Sequence, residues 1–427
     1  MRVLRVYHSG RDPAHRLRER ALLRAGVEVS LLVPQAWPDA GSQVSLSEEP
    51  FPVLELPVRR PGDVNRHRYD PRDLRRVLEQ VKPDLLDLHE EPFSTVVHQW
   101  LQAAGDLPVV GYTAQNIDKR WPPPFHGYEK AAFERLSALY PCSRQAASVA
   151  RGKGFAGQVE VLPLGVDDRT HYPGDQRHDD PVWTLLLVGR LVPEKGVVEA
   201  VEVLERVRRH HPTRLVVVGE GPEGAAAHRR AQQLGMGESV ELKPWLDAAG
   251  LAEQYRRAHV VLLPSRATRT WVEQFGRVIT EGQAAGCVVV GWASGSIPEV
   301  GSGWMALSPE RDVAGMAAHI DRLRELPRAY ERLRRGGLAR AAEVSWSGVA
   351  HRQAALYDSV LTGGARPTAV TGRSAAAAEF GPPAAVAGGG RPFALPVLRE
   401  DNVATRALAR LVDVTASWAP DRRGRTR

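Results

Sequence analysis

Short apolar runs alternate with amphipathic helical stretches along most of this chain, and that alternation restricts it to α/β architecture with parallel sheets. Strands are predicted at Arg2–Tyr7, Val27–Val33, Leu85–His89 and Pro108–Thr113. Helices are predicted over Ala14–Ala25, Pro71–Val81, Phe93–Ala104, Gly127–Leu136 and Arg144–Gly152, the last two around a short strand near Leu139. A second series opens at Trp183–Val188, apolar almost throughout as a strand buried on both faces must be. It continues through Arg214–Val218, Ser239–Leu242, Val260–Leu263 and Cys287–Val290, alternating with helices from Val197–Arg208 up to Leu323. Two more helices follow, Pro327–Ala342 and one from Trp346 to about Val360, with Trp346 and Tyr357 as its apolar anchors.

At 427 residues the chain has room for two domains of ordinary size and a tail. From Thr362 to Gly390, Ala, Gly, Pro and Ser dominate, including Ala375–Ala378 and Gly388–Gly390. Such a stretch cannot bury enough apolar surface to offset chain entropy, so 362–427 is expected to be largely disordered. A helix at Asn402–Trp418, carrying Leu408, Leu411 and Trp418 with Arg406 and Arg410, would suit an anionic membrane surface, although a weakly ordered terminus is the plainer reading.

The two cysteines, Cys142 and Cys287, fall far apart in buried-looking elements and indicate no disulfide framework. Free thiols fit a reducing, cytoplasmic compartment. The opening residues read as a strand rather than a signal peptide, because arginines interrupt the apolar ones. No apolar run is long enough to cross a bilayer. The net charge of +7 favours anionic partners, phosphorylated substrates or the cytoplasmic membrane face. Nucleic acid is not expected, since no recognition pattern for it appears.

The stretch from Glu273 to Glu281 carries the chemistry. It follows the strand Val260–Leu263 and the turn Pro264-Ser265, and a helix is predicted over Phe275–Ala285. Glu273 then sits at the mouth of that helix and Glu281 about two turns inside it. A helix start after a strand aims free N–H groups at an anion. Glu273 would repel a bare phosphate there, unless it grips hydroxyls on something the phosphate carries. A sugar diphosphate satisfies both demands.

Pro264-Ser265-Arg266, Trp271-x-Glu273-Gln274-Phe275-Gly276-Arg277-Val278, Glu281-x₄-Gly286 and Ile297-Pro298-Glu299-Val300 stand in register. Through these motifs the chain resembles the retaining glycosyltransferases of the GT-B fold, family four. The resemblance is strong over about 160–360, weak over 1–160 and absent from the tail. It implies two Rossmann-like domains facing across a cleft: an acceptor-side domain at 1–165 and a donor-binding domain at 166–345. A helix at 346–361 would cross back toward the first domain. Val159–Asp167 would be the connector, with Leu164 in place of the usual Asn. The resemblance assigns Glu273, Phe275 and Gly276 to the donor hexose and diphosphate, and Glu281 to the ribose hydroxyls.

Arg190 and Lys195 follow a buried strand, at the carboxyl end of a parallel sheet where ligands of doubly wound folds bind. Two fixed cations would stabilise a departing diphosphate without a metal, and the resemblance assigns both to it. Glu273, Arg190 and Lys195 are the expected catalytic set. The chain contains no Asp-x-Asp and no His/Cys cluster of zinc spacing, so no metal and no cofactor is expected. Gly219-Glu220-Gly221-Pro222-Glu223-Gly224 matches G-x-G-x-x-G after a strand, which makes an NAD-dependent oxidoreductase the rival reading. The resemblance instead lines the donor cleft with Gly219 and Gly221. A nucleotide-sugar epimerase on the GT-B fold is a further alternative.

The acceptor side departs from the family. The first turn, His8-Ser9-Gly10-Arg11, has one Gly where relatives carry two, and Ala114-Gln115-Asn116 stands where relatives often place a His. Gly10, Arg11, His89, Gln115 and Asn116 are the acceptor-side candidates. Arg16, Arg20 and Arg24 form a basic stripe, and Lys119–Phe125 sets cations among aromatics predicted to be exposed; together they would suit a phosphate-bearing or lipid-linked acceptor, although a solvated charged face is the plainer reading. The expected reaction moves a hexose from a nucleotide diphosphate sugar, built on UDP or GDP, to a hydroxyl acceptor.

Overall fold

A computed structural model describes residues 1–38, 49–175 and 178–363. The expected tail and the helix at Asn402–Trp418 lie outside the described residues, apart from Thr362 and Gly363. The first sheet has seven parallel strands: β1 (Arg2–Val6), β2 (Glu28–Pro34), β3 (Val53–Leu56), β4 (Leu85–Leu88), β5 (Val109–Thr113), β6 (Ala138–Pro141) and β7 (Gln158–Val159). Their order across the sheet is β3-β2-β1-β4-β5-β6-β7. Helices α1 (Leu17–Arg24), α2 (Pro71–Val81), α3 (Thr95–Ala103), α4 (Phe125–Arg135) and α5 (Arg144–Gly152) connect them. Strand β3 went unread in the sequence because its four residues alternate too briefly to declare a period.

The second sheet has six parallel strands in the order β10-β9-β8-β11-β12-β13. These are β8 (Trp183–Val188), β9 (Thr213–Val218), β10 (Val240–Lys243), β11 (Val260–Leu263), β12 (Val288–Trp292) and β13 (Ala306–Ser308). Helices α6 (Val197–Arg208), α7 (Glu223–Gln233), α8 (Ala248–Arg257), α9 (Arg277–Ala284), α10 (Ile297–Gly301), α11 (Val313–Glu325) and α12 (Pro327–Glu343) cover it. In both sheets the chain runs outward on one side and then restarts beside its first strand. Each therefore has a topological switch point, β1/β4 in the first and β8/β11 in the second, where ligands of doubly wound folds bind.

Helix starts follow local chemistry. Ser94, Ser143, Asp247, Asp312 and Ser345 each accept a hydrogen bond from a backbone N–H in the first turn that follows. Asp70 does the same ahead of Pro71, whose fixed φ suits the first helical position.

The last helix, α13 (Trp346–Leu361), lies on the first domain. Val349, Ala350, Leu356 and Tyr357 share an apolar cluster with Val3, Ala21, Leu22 and Val29. Beneath that cluster is a fully buried polar network. Arg5 pairs with Glu19 at 2.8 Å and with Asp87. Asp87 also accepts from Tyr140, Tyr357 and Gln353. Buried charges persist only when paired and hydrogen-bonded, and here two of the partners come from α13. The two chain passages between the domains touch: Val166 N donates to Val344 O at 3.0 Å, and Trp346 N donates to Val166 O at 3.1 Å.

The structure corrects two sequence expectations about surface charge. Arg16 is fully buried, donating to Gly10 O and Arg11 O, and it shares Glu49 with Arg20. Arg16 and Arg20 of the stripe are therefore engaged internally, while Arg24 is exposed. In the loop 119–125, Trp121 and Phe125 are buried rather than exposed, and Trp121 stacks on Phe93 at 3.7 Å. Aromatic stacking won over the polar neighbours that had suggested a surface loop.

Candidate active site

The second sheet's switch point gathers the donor-side residues. After β11, the chain runs through Ser265 to Glu273 before α9 begins. Glu273 is 7% exposed, and its Oε2 accepts from Lys195 Nζ at 2.6 Å and from Ser265 Oγ at 3.1 Å. Lys195 comes from the loop after β8 and also lies 4.8 Å from the centroid of the Trp271 ring. The sequence assigned Lys195 to a diphosphate and Glu273 to hydroxyls; the structure brings the two together directly. Arg190 is exposed, and among the described residues its side chain makes no hydrogen bond or ion pair.

Helix α9 begins at Arg277, two residues later than expected, because Gly276 occupies the left-handed region with φ +79°. Glycine adopts that conformation without a Cβ penalty. Phe275 is drawn inward by the same turn: its ring packs in the apolar cluster with Leu263, Ile279 and Ile297, so it presents no side chain to a ligand. Glu281 is likewise 7% exposed. Its Oε2 accepts from Tyr255 Oη at 2.9 Å, and its Oε1 lies 3.0 Å from Arg277 Nη2. Tyr255, Ser265 and Arg277 were not singled out from sequence. The i, i+4 spacing of Arg277 and Glu281 was the available signal for one of them.

The Gly219–Gly224 turn does not form a dinucleotide site. A Cβ on Gly219 would stand 1.9 Å from Gly189 O, and one on Gly221 would stand 2.4 Å from Leu191 O. Two backbone hydrogen bonds, Leu191 N to Glu220 O and Glu223 N to Leu191 O, each 2.8 Å, fasten this turn to the Arg190 loop. The bare glycine faces are thus occupied by protein backbone, where a dinucleotide fold would place pyrophosphate.

Across the cleft, the first domain grips the Glu273 loop. Asn116 Nδ2 donates to Glu273 O at 2.8 Å, and Gln274 Nε2 donates to Ala114 O at 3.1 Å. Gln145 Nε2 donates to Gly295 O at 2.8 Å, and Arg144 N to Glu299 Oε1 at 2.6 Å. Beneath the loop that carries Asn116, burial pushes the Glu91 carboxyl up to about 7, against hydrogen bonds from Ala114 N and Thr113 Oγ1. Arg277 is within electrostatic reach of Tyr7 and His15 of the first domain.

The other acceptor-side candidates are engaged within the first domain. Gln115 accepts from Trp121 Nε1 at 2.8 Å and faces Glu129, away from Glu273. His89 is buried against Tyr7 and Tyr112, with Nδ1 3.0 Å from Tyr140 Oη. Burial, then Arg18 and Arg5, hold it well below the usual histidine range, so it is a neutral core residue near pH 7. Gly10 is buried, and Arg11 pairs with Glu55.

Two facing domains of doubly wound α/β topology, with a clasped donor loop at the second switch point and a last helix returned to the first domain, define the GT-B architecture. The family model described as Glycosyltransferase Family 4 matches residues 19–170, and that described as Glycosyl transferases group 1 matches 168–340. The chain belongs to family four of the glycosyltransferases.

Among curated relatives, the D-inositol 3-phosphate glycosyltransferase of Segniliparus rotundus is 34% identical over 231 residues, 49% of this chain and 48% of the relative. The glycogen synthase of Mycobacterium tuberculosis is 32% identical over 221 residues, 51% of this chain and 52% of the relative. The chain thus spans about half the length of the curated relatives it matches. Among solved structures, sucrose-phosphate synthase from Thermosynechococcus elongatus has a TM-score of 0.64 at 20% identity, covering 85% of this chain and 99% of that one. Anabaena HepE in complex with UDP has a TM-score of 0.64 at 15% identity, covering 84% of this chain and 100% of that one. Among the described residues, no helix is long and apolar enough to cross a membrane.

Proposed function

We propose that this chain transfers a hexose from a nucleotide diphosphate sugar to a hydroxyl acceptor, with retention at the anomeric carbon and without a metal at the donor phosphates. The observation that carries this reading is the Lys195–Glu273 pair, 2.6 Å long, at the mouth of α9, with Glu281 further along the same helix. Its catalytic group is Lys195 with Glu273, supported by Arg190 in the adjoining loop. Glu281 holds the ribose, and backbone at 275–276 approaches the diphosphate. UDP is the favoured nucleotide, since a protein of the same fold, HepE, is described in complex with it.

In this reading the donor's C1–O bond to the diphosphate breaks, and the electron pair leaves on the phosphate oxygen. Lys195 and the helix start stabilise the growing charge. The acceptor oxygen bonds to C1 on the same face, and its proton passes to the departing diphosphate oxygen. Glu273 positions the sugar and does not attack it. Among the curated relatives one acts on D-inositol 3-phosphate and another makes glycogen, which favours a polyol or sugar hydroxyl as the acceptor. Two buried free thiols support a reducing, cytoplasmic setting.

The test is calorimetric binding against UDP, GDP, ADP and TDP, with and without EDTA, followed by NMR of the product linkage. UDP should bind equally with EDTA present, and the product should keep the donor's anomeric configuration. An inverted linkage, or nucleotide binding that requires a divalent ion, overturns the mechanism. Conversion of the donor sugar without any acceptor would point to the epimerase.

A further inference from the structure

The first sheet has its own switch point, and three ligating side chains meet there. His8 follows β1, Glu90 follows β4, and His67 comes from the segment between β3 and α2. One ligand atom from each, two imidazole nitrogens and a carboxylate oxygen, lies within 4.8 Å of the other two. His8 Nδ1 stands 2.8 and 2.7 Å from the two Glu90 oxygens, and His8 N donates to Glu90 Oε1 at 2.7 Å. His67 is fully buried. Its Nδ1 lies 3.1 Å from Asp63 O, which accepts the ring proton and leaves the lone pair on Nε2. That Nε2 atom is buried and, among the described residues, has no hydrogen-bond partner.

An unpartnered acceptor in such a place costs free energy unless something donates to it. A histidine whose far nitrogen is fixed by a backbone carbonyl is oriented as metal-ligating histidines are. Trp37 closes the cluster, its ring 4.6 Å from that of His8 and 5.0 Å from that of His67. Such an apolar wall restricts water and lowers the local dielectric around an ion.

We infer that His8 Nδ1, His67 Nε2 and a Glu90 oxygen form a binding site for a divalent transition-metal ion of the zinc class. Two imidazoles and one carboxylate are a donor set that zinc accepts, with a fourth position left for water or a substrate oxygen. Binding replaces the His8–Glu90 hydrogen bond with two metal bonds and releases any proton the pair shares. All three ligands belong to the first domain and none is a donor-site residue, so the metal site stands whether or not the proposed glycosyl transfer does.

The experiment uses the full chain, stripped with a chelator, dialysed, and titrated with zinc chloride and separately with Co²⁺. One equivalent of zinc should bind, and Co²⁺ should give the intense visible absorption of a four-coordinate site. His67→Ala and the isosteric Glu90→Gln should each weaken zinc binding at least about 100-fold. Zinc should raise the melting midpoint of the stripped wild type and leave that of Glu90→Gln unchanged, a comparison that stands even where His67→Ala folds poorly. Equal zinc affinity in wild type and either variant, or no zinc bound by the wild type, overturns the site.

Discussion

Asn116 Nδ2 of the first domain donates to the main-chain oxygen of Glu273 in the second at 2.8 Å. The same oxygen accepts from Ser296 N at 3.0 Å, so a residue from each domain fixes the peptide that carries the Glu273 carboxylate. The carboxylate itself is held by Lys195 and Ser265 of the second domain, so Asn116 adds the first domain's hold on the Glu273 main chain.

Asn116→Ala should lower nucleotide affinity about fivefold, the equivalent of one hydrogen bond of about 1 kcal/mol. Calorimetry with UDP reads it. Small-angle scattering of the free variant should show a more open molecule. Unchanged affinity and shape would mean that this bond does not govern closure.

Lys195→Ala removes the charged partner of Glu273 and should reduce turnover by about 10²-fold, more than it weakens donor binding. Arg190→Ala should act in the same sense. Glu273→Gln should retain partial activity, because an amide still holds a hydroxyl, and intact-protein mass spectrometry should find no glycosyl adduct. An adduct on Glu273 would make it a nucleophile and refute the positioning role.

Glu281→Ala should weaken nucleotide binding by about 1.5–3 kcal/mol, the range for hydrogen bonds to a charged group. It also strips the buried Tyr255 hydroxyl of its acceptor, so a denaturant melt should show a separate loss of about 1–3 kcal/mol. Tyr255→Phe with Glu281 retained should reproduce part of the stability change and little of the binding change. The reverse pattern would place Glu281 in the core rather than at the ribose.

The polar network under α13 predicts a graded series. Asp87→Ala leaves Arg5 buried with Glu19 as its remaining carboxylate and should cost about 3–5 kcal/mol. Tyr357→Phe should cost about 1–2 kcal/mol. Truncation after Leu361 keeps every member of the network and should leave the unfolding midpoint unchanged. A truncated chain that fails to fold would show that residues beyond 361 belong to the domain.

Burial pushes the thiols of Cys142 and Cys287 up to about 12, so both are protonated at pH 8 and shielded as well. A thiol-specific disulfide reagent should therefore label neither cysteine in the native state and both in denaturant. Labelling of Cys142 alone in Asn116→Ala would report the opened cleft, since its sulfur lies 3.9 Å from Gln274 O.

Where several residues of one local motif carried a signal, the sequence was informative. Val260–Leu263, the turn after it and the Glu273–Glu281 spacing placed the donor elements to within two residues, because strand, loop and helix each declared their own period. What stayed hidden were relationships between distant segments. Nothing near Arg16 announces that Glu49 neutralises it. His8, His67 and Glu90 occupy three separate loops; the β1/β4 adjacency sets His8 beside Glu90, and His67 reaches them from the segment between β3 and α2. That the Phe275 ring packs inward was likewise not legible, because a motif names a residue without showing where its side chain goes.

Val166 and Ser345 form a single parallel bridge where the chain enters the second domain and where it returns. Both crossings therefore sit on one side of the molecule, like the two leaves of a door hung on a common pin. Such an arrangement favours rotation about one axis over sliding or independent tumbling. A rotation about that axis would have to break the Asn116–Glu273 bond, which acts as the catch.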